Sequence, residues 1–286
     1  TSFTPSDPLP PEQLSHRVWH ELLGTHVRDG VVDYPAIRRQ GQLPSYVSLL
    51  NRVDPGRLSA GERLAFWINA YNAFAVTGIL DGYSPDTLFG RYRYFIAREY
   101  SVGGQPVNLY NLEREILIAQ FHEPRVHFAI VCASASCPKL QSWAFDGRRL
   151  DEQLNRVAIQ FVNDPSRNRF DRSRKVASLS MIFKWFARDF EVRSGTLLGF
   201  VGEYLQDQSL KQDLLAGGYT VEFLDYDWQL NGLPPHYRRR CAWWCCPVSE
   251  FPLPGCWHSS NMANEWRMGV RSAKPHWLPT RRRVVS

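Results

Sequence analysis

The longest apolar stretch of the chain, LAFWINAYNAFAVTGIL over residues 64–80, predicts a helix with apolar side chains on nearly every face. Ser59 and Glu62 precede it at the spacing of a capping box, so the helix is predicted to begin after Ser59 and to end near residue 80. Asn69 and Asn72 form its one polar line. A helix without a solvated face must be surrounded by protein, and the pattern therefore predicts a buried central helix.

Helical and extended patterns are mixed along the rest of the chain. Further helices are predicted over 14–27, in two short stretches of 36–52, after Asn111 as N-cap, over 149–163, and after Ser180 as N-cap. Extended segments are predicted at VVDY, at hairpins around Gly103-Gly104 and 170–178, at HFAIVC and at YTVEFLDYDW. This order favours an α+β fold: a single compact domain with a buried central helix and a small antiparallel or mixed sheet.

The two ends of the chain differ in character from its middle. Residues 1–14 are proline-rich and predict a disordered leader, and residues 15–231 predict the domain. Residues 232–286 hold four of the six Cys and five of the ten Trp without a periodic pattern, which indicates a disordered or non-native tail. A zinc site of the tail cysteines with His258 is the alternative, although the spacing fits no common zinc pattern. Contact of this basic, aromatic segment with nucleic acid or a membrane is another.

The charge distribution limits the partners of the domain. The chain carries a net charge of +6, but the tail has eight Arg and one Lys against two Glu, which leaves the domain near neutrality. No nucleic acid is therefore expected as a partner of the domain. No window of 18 apolar residues predicts a transmembrane segment, and the first residues lack the pattern of a signal peptide. No metal and no cofactor is expected in the domain, and partner proteins are not identified by the sequence.

The segment HFAIVCASASCPKL, residues 127–140, carries the strongest candidate chemistry. Cys132 and Cys137 flank four small residues, whose backbone N–H groups can approach a ligand closely, as an oxyanion hole requires. His127 on the predicted strand is a candidate base for a Cys132 nucleophile, and Glu113 is a candidate to orient the imidazole. Because residues 127 and 132 of a regular strand point to opposite faces, this pairing needs a turn near residue 131, or Cys137 is the nucleophile.

Other interpretations of these residues stay open. In one interpretation Cys132 is a structural, buried residue. In another, Cys132 pairs with Cys137 in a small-loop disulfide or contributes to a metal site. Asn69 and Asn72 either brace backbone groups in the core or help to build the site. If these residues do build a site, the candidate substrate-binding residues are Asn69, Asn72, Ser134, Ser136 and Cys137.

Several segments together resemble the family called domain of unknown function 547. VVDYPAI, LAFWINAYNAFAV, VNLYNLEREIL, VHFAIVCASASCPKL, LSMIFKWFARDF and YDWQLN occur in the family's order, over residues 15–231. The resemblance implies a compact fold with a likeness to papain-like thiol enzymes and a site of Glu113, His127 and Cys132. Some relatives have Ser at the position of Cys137, and many have His where this chain has Arg114. The family occurs in bacterial proteins, many of them exported, and at the C-termini of plant proteins.

These observations lead to three hypotheses about function. The first is a thiol-dependent hydrolase or acyl or peptidyl transferase in which Cys132 attacks, His127 exchanges the proton and Glu113 holds the imidazole, with backbone N–H groups of 133–136 as the oxyanion hole. Its substrate would be a peptide or a small thiol-containing molecule, by analogy with the fold likeness. The second is a non-catalytic binding or scaffold module with a structural cysteine loop. The third is a redox or disulfide-bearing structural domain.

Overall fold

A computed structural model describes residues 9–235 of the chain. Its helices are α1 Arg17–His26, α2 Tyr34–Gln40, α3 Leu43–Asn51, α4 Ala60–Leu80, α5 Leu88–Tyr92, α6 Leu109–Asn111, α7 Ala119–Phe121, α8 Leu150–Val162, α9 Met181–Trp185, α10 Ala187–Ser194, α11 Leu197–Tyr204 and α12 Gln208–Leu215. Its strands are β1 Val27–Arg28, β2 Val31–Asp33, β3 Tyr100–Val102, β4 Gln105–Val107, β5 Arg169–Asp171, β6 Val176–Leu179, β7 Thr220–Phe223 and β8 Gly232–Leu233.

Helix α4 is the central element, as its apolar pattern predicts. The Ser59 side chain accepts from the Glu62 N–H, and the Glu62 carboxylate accepts from the Ser59 N–H, so the predicted capping box is formed. Nearly every side chain from residue 64 to 79 is buried, because α2, α3 and α6 pack around the helix. None of the helices within 9–235 is long and apolar enough to cross a membrane.

The strands form three small sheets, so the fold is α+β with most of its structure in helices. Antiparallel β1 and β2 are extended by β8, which lies parallel to β2. The predicted hairpins are present: β3 and β4 join through Gly103 and Gly104, both at positive φ, and β5 pairs with β6. β7 then lies parallel to β6.

A second centre of packing surrounds Phe128. This ring is 1% exposed. Its centroid lies 4.7 Å from that of Phe161 on α8, 5.6 Å from those of Phe183 on α9 and Phe190 on α10, and 6.1 Å from that of Phe200 on α11. The chain just before the cysteine loop is thus anchored by four helices at once.

Several predicted elements are wrong in detail. HFAIVC is not a strand: Pro124–Phe128 is a 3₁₀ turn, Ala129 continues it with helical backbone angles, and residues 130–131 belong to no strand. Pro124 begins this turn, and the Arg125 guanidinium fixes it through two hydrogen bonds to Glu123, at 2.8 and 2.6 Å, and one of 2.8 Å to Asp151 on α8. These interactions override the β-branched, aromatic composition on which the strand prediction rested.

The helix around Glu113 begins three residues earlier than predicted. Asn108, not Asn111, is the N-cap, and its side chain accepts from the Asn111 N–H at 2.7 Å. Between α6 and α7 the helix widens into a π-helical segment, Leu112–Ile118, which carries Glu113. A second π-helical segment, Arg93–Ala97, occupies the start of the predicted strand YFIAREYSV.

The predicted boundaries at both ends of the domain also shift. Leu9 is buried and its N–H donates to the Arg52 carbonyl at 2.7 Å, so residues 9–14 of the predicted disordered leader are ordered. At the other end, β8 lies just beyond the predicted boundary after residue 231. The rest of the tail, with its cysteines and His258, lies outside the described residues.

Candidate functional site

The cysteine loop follows directly on the short segment 129–131. Cys132 and Cys137 form a disulfide with their Cα atoms 6.2 Å apart. The two ends differ in exposure, because Cys137 is 4% exposed and Cys132 is partly exposed. Of the interpretations left open by the sequence, the structure therefore contains the small-loop disulfide, between one partly exposed and one buried cysteine.

One phenol lies against both sulfurs. The Tyr226 hydroxyl is 3.2 Å from Cys132 Sγ and 3.3 Å from Cys137 Sγ, and 2.8 Å from the Ser134 hydroxyl. The backbone N–H of Cys132 also donates to Cys137 Sγ at 2.9 Å. Two hydrogen-bond donors thus converge on the buried sulfur, while burial raises the pKa of the Tyr226 phenol and keeps it a donor.

Aromatic packing fixes the position of that phenol. The Tyr226 ring centroid lies 4.7 Å from Trp185 on α9 and 4.6 Å from Trp228. Sequence analysis missed Tyr226 as a site residue. The signal available was the motif YDWQLN, in which a polar-tipped aromatic lies near the end of the last predicted strand, but nothing in the sequence joins it to a loop some 90 residues earlier.

The segment 227–231 closes on the cysteine loop and changes the expected role of its backbone. The Ala135 N–H donates to the Gln229 carbonyl at 2.6 Å, and the Ser136 N–H to the Asp227 carbonyl at 3.1 Å. The Ser136 hydroxyl in turn accepts from the Asp227 N–H at 2.9 Å. These N–H groups are already paired, so the oxyanion hole predicted over 133–136 is not formed by Ala135 and Ser136.

The two asparagines of α4 pair with backbone groups in the core. Asn72 is 2% exposed; its amide donates to the Ala129 carbonyl at 2.9 Å and accepts from the Val131 N–H at 2.8 Å. Asn69 is 1% exposed and makes the same two bonds to Phe145, at 2.8 and 2.9 Å. Of the two interpretations, bracing of the backbone is what their hydrogen bonds provide.

The carboxyl group of Glu113 has a raised pKa. Its carboxylate accepts a hydrogen bond of 3.4 Å from the Tyr71 hydroxyl on α4. Burial raises the pKa of Glu113 to about 7; Arg114 and the Tyr71 bond oppose that shift, and Asp189 adds to it. A carboxyl group of this kind changes its protonation state near neutral pH.

His127 belongs to a different cluster. Its Nε2 lies 2.8 Å from Asp189 Oδ2 on α10, and its ring stacks on Phe186 with centroids 3.9 Å apart. Burial lowers the pKa of His127 despite the bond to Asp189, which favours the neutral imidazole. The ring lines a cavity of about 390 Å³ together with residues of α10 and of the 118–124 segment.

The predicted Glu113–His127–Cys132 triad is therefore not assembled. Within residues 9–235 no hydrogen bond joins His127 to Glu113 or to Cys132. The reason is local: the 3₁₀ turn ends at residue 128 and directs the imidazole towards α10, whereas the prediction assumed a strand. Asp189 on α10 is the partner of the imidazole.

Among the described residues, no three His, Cys, Asp or Glu side chains converge in a way that would hold a metal ion. The groups that the fold brings together are thus the disulfide, the hydroxyls of Ser134 and Tyr226, and the neighbouring Glu113–Tyr71 pair. The charge of Glu113 raises the pKa of the Tyr226 phenol.

Comparison with known proteins agrees with the motifs. A family model described as "Protein of unknown function, DUF547" matches residues 55–162, which include α4, the Glu113 segment and the cysteine loop. Tyr226 and Asp189 lie outside the matched residues. Comparison with curated proteins and with solved structures finds no match. The family match supports the assignment of this chain to the DUF547 family, which its sequence motifs resemble.

Proposed function

We propose that this chain carries out thiol–disulfide exchange through Cys132 and Cys137. The observation that carries the proposal is the asymmetry of the two residues: Cys132 is partly exposed, whereas Cys137 is 4% exposed and its sulfur accepts from the Cys132 N–H and lies 3.3 Å from the Tyr226 hydroxyl. Exchange begins when a thiolate attacks one sulfur of a disulfide, and Cys132 is the residue of this pair that is partly exposed to solvent.

The reaction proceeds in two balanced steps. A substrate thiolate attacks Cys132 Sγ, which forms a mixed disulfide and breaks the Cys132–Cys137 bond, and the electron pair of that bond leaves on Cys137 Sγ. A second substrate thiolate then attacks the substrate sulfur of the mixed disulfide and releases Cys132 as a thiolate. Two substrate thiols are oxidised to one disulfide, and the chain is reduced to its dithiol.

The donors around Cys137 favour the first step. Burial in apolar surroundings raises the pKa of a thiol and makes it a poorer leaving group. The Cys132 N–H, 2.9 Å away, and the Tyr226 hydroxyl, 3.3 Å away, offset this effect because hydrogen bonds to an ionised sulfur are stronger than those to a neutral one. Removal of the hydroxyl group by Tyr226→Phe should therefore slow the attack by about tenfold, the effect of about 1.4 kcal/mol expected for one such bond.

The test is a redox titration of the folded chain with reduced and oxidised glutathione, with free thiols alkylated and counted by mass spectrometry. We expect Cys137→Ser to accumulate a mixed disulfide at Cys132, and Cys132→Ser to form one much more slowly. Equal trapping by the two variants, or a disulfide that excess glutathione leaves intact in the folded chain, would show the proposal to be wrong. If replacement of both cysteines lowers the thermal stability and changes no other measured property of the chain, the result favours the binding module with a structural cysteine loop.

A second candidate is a thiol-dependent hydrolase or acyl or peptidyl transferase that uses Cys132 in its reduced form. The observation in its favour is Glu113, whose pKa of about 7 suits a general acid or base at neutral pH. Glu113 would replace His127 in proton transfer, and the substrate would be a peptide or a small thiol-containing molecule, in keeping with the predicted papain-like character.

The two candidates require different residues. Hydrolysis of a peptide or ester probe should survive Cys137→Ser, because only Cys132 attacks, and should fall in Glu113→Gln. Disulfide exchange should instead be lost in Cys137→Ser, because turnover needs both cysteines, and should survive Glu113→Gln. A chain that hydrolyses no probe after reduction, yet exchanges disulfides, leaves only the first candidate.

A further inference from the structure

The side chain of Asn72 acts in place of a neighbouring β-strand. Its amide donates to the Ala129 carbonyl and accepts from the Val131 N–H, which is the pattern that one residue of a paired strand presents to its partner. An amide that is 2% exposed would be costly to bury without these bonds. The pairing therefore connects the rigid helix α4 to the backbone immediately before Cys132.

The backbone of this segment makes few other hydrogen bonds among those described. Residues 129–131 belong to no strand, and the N–H groups of Ala129 and Ile130 turn back to the Val126 carbonyl. Among the described hydrogen bonds, those of Asn72 are the ones that hold the Val131 N–H and the Ala129 carbonyl. The side chains of Ala129, Ile130 and Val131 are buried in the core, and the backbone groups on either side of Ile130 are paired by one side chain of α4.

We infer that Asn72 is a positioning residue, which holds Cys132 against Cys137 and so sets how readily their disulfide is reduced. The inference rests on the proposed exchange function and names a residue that controls it. Two thiols form a disulfide more favourably when the protein holds them close together, because less conformational freedom is lost on closure. Loosening the Asn72 contact should therefore favour the dithiol.

The chain supplies a matched control in Asn69. This residue lies three positions earlier on the same helix, is equally buried and makes the same pair of bonds, but its partner is Phe145 and not the cysteine loop. Asn72→Asp and Asn69→Asp thus remove one amide donor each from equivalent contacts. A purely structural role predicts that both variants change the disulfide equally.

In Asn72→Asp the protonated carboxyl group can restore the hydrogen bonds that the ionised group cannot make. A buried carboxyl has a raised pKa, so at pH 6 the group introduced by Asn72→Asp should be largely protonated. Its O–H then donates to the Ala129 carbonyl, and its C=O accepts from Val131. At pH 8 the ionised group has no donor and repels that carbonyl. Any effect on the disulfide should therefore increase between pH 6 and pH 8.

The experiment measures the equilibrium constant for disulfide formation against dithiothreitol in the parent and both variants, together with their melting temperatures. For Asn72→Asp at pH 8 we expect a fall of about tenfold, which corresponds to about 30 mV for a two-electron couple, and a value within about twofold of the parent at pH 6. Asn69→Asp should stay within about twofold at both pH values, while the melting temperature falls in both variants.

Equal shifts in the two variants, or no shift in Asn72→Asp, would overturn the inference. If a carboxyl variant does not fold at pH 8, the uncharged pair Asn72→Ser and Asn69→Ser is compared by the same criteria. Dithiothreitol reports on the disulfide whether or not the chain has exchange activity. A selective shift without glutathione turnover therefore supports the role of Asn72 and removes only the proposed function.

Discussion

Replacement of Glu113 by Gln tests whether this carboxyl group is held in an environment that disfavours its charge. Glutamine keeps the shape of the side chain and can still accept from the Tyr71 hydroxyl, but it carries no charge at any pH. The stability difference between the parent and Glu113→Gln should therefore depend on pH in a way that reports the ionisation of Glu113 alone.

The magnitude follows from the shift in pKa. Burial raises the pKa of Glu113 from 4.5 to about 7. At 1.36 kcal/mol per unit, the full shift is about 3 kcal/mol, and the partial exposure of the side chain reduces the expected effect to about 2 kcal/mol. The folded chain holds the proton more tightly than the unfolded chain, so this contribution is present below about pH 4.5 and is lost as the pH rises to about 7.

Urea unfolding of the oxidised chain at pH 5 and pH 8 measures the effect. We expect Glu113→Gln to gain about 2 kcal/mol relative to the parent between these pH values. His127, whose lowered pKa gives the opposite slope, is present in both proteins and cancels in the difference. Glu115→Gln, at an exposed position of the same π-helical segment, is the control and should show no such gain. A difference between parent and Glu113→Gln that stays constant within about 0.5 kcal/mol would refute the reasoning.

Three further substitutions test the fold through their free energies of unfolding in urea. Phe128→Ala should lose about 3–5 kcal/mol, because the ring fills the space between four helices, and a loss below about 1 kcal/mol would contradict that packing. Ser59→Ala should lose about 1 kcal/mol with the capping box, whereas an unchanged midpoint would mean that the cap does not stabilise α4. Gly147→Ala should lose about 1–3 kcal/mol, since its Cβ would lie 2.6 Å from the Glu62 Cα; full stability would show that the loop can move away.

The structure separates residues that the sequence had grouped by chemical type. Glu113, His127 and Cys132 suggested one triad because they are the side chains from which thiol enzymes are built. In the fold the imidazole pairs with Asp189, and the sulfurs lie beneath Tyr226. Chemical type and order along the chain did not reveal which of these groups meet, because each contact joins residues from separate elements.

Local patterns were sufficient for much of the architecture. The capping box and the all-round apolar surface identified α4 and its burial, and the Gly103-Gly104 pair identified the β3–β4 hairpin. These features depend on interactions within a few residues, which are already present in the sequence. The cysteine loop was identified in the same way, since two cysteines that flank small residues imply a close approach of backbone or ligand.

The sequence by itself thus determined the mixed fold, the buried central helix and the position of the cysteine loop. The tertiary structure decided that Pro124–Phe128 forms a turn and not a strand, because the Arg125 contacts to Glu123 and to Asp151 on α8 hold it. It also decided that Asn72 serves the backbone next to Cys132, and that Tyr226 returns to both sulfurs. Each of these contacts depends on where a distant element packs, and packing is a property of the whole core that local patterns do not specify.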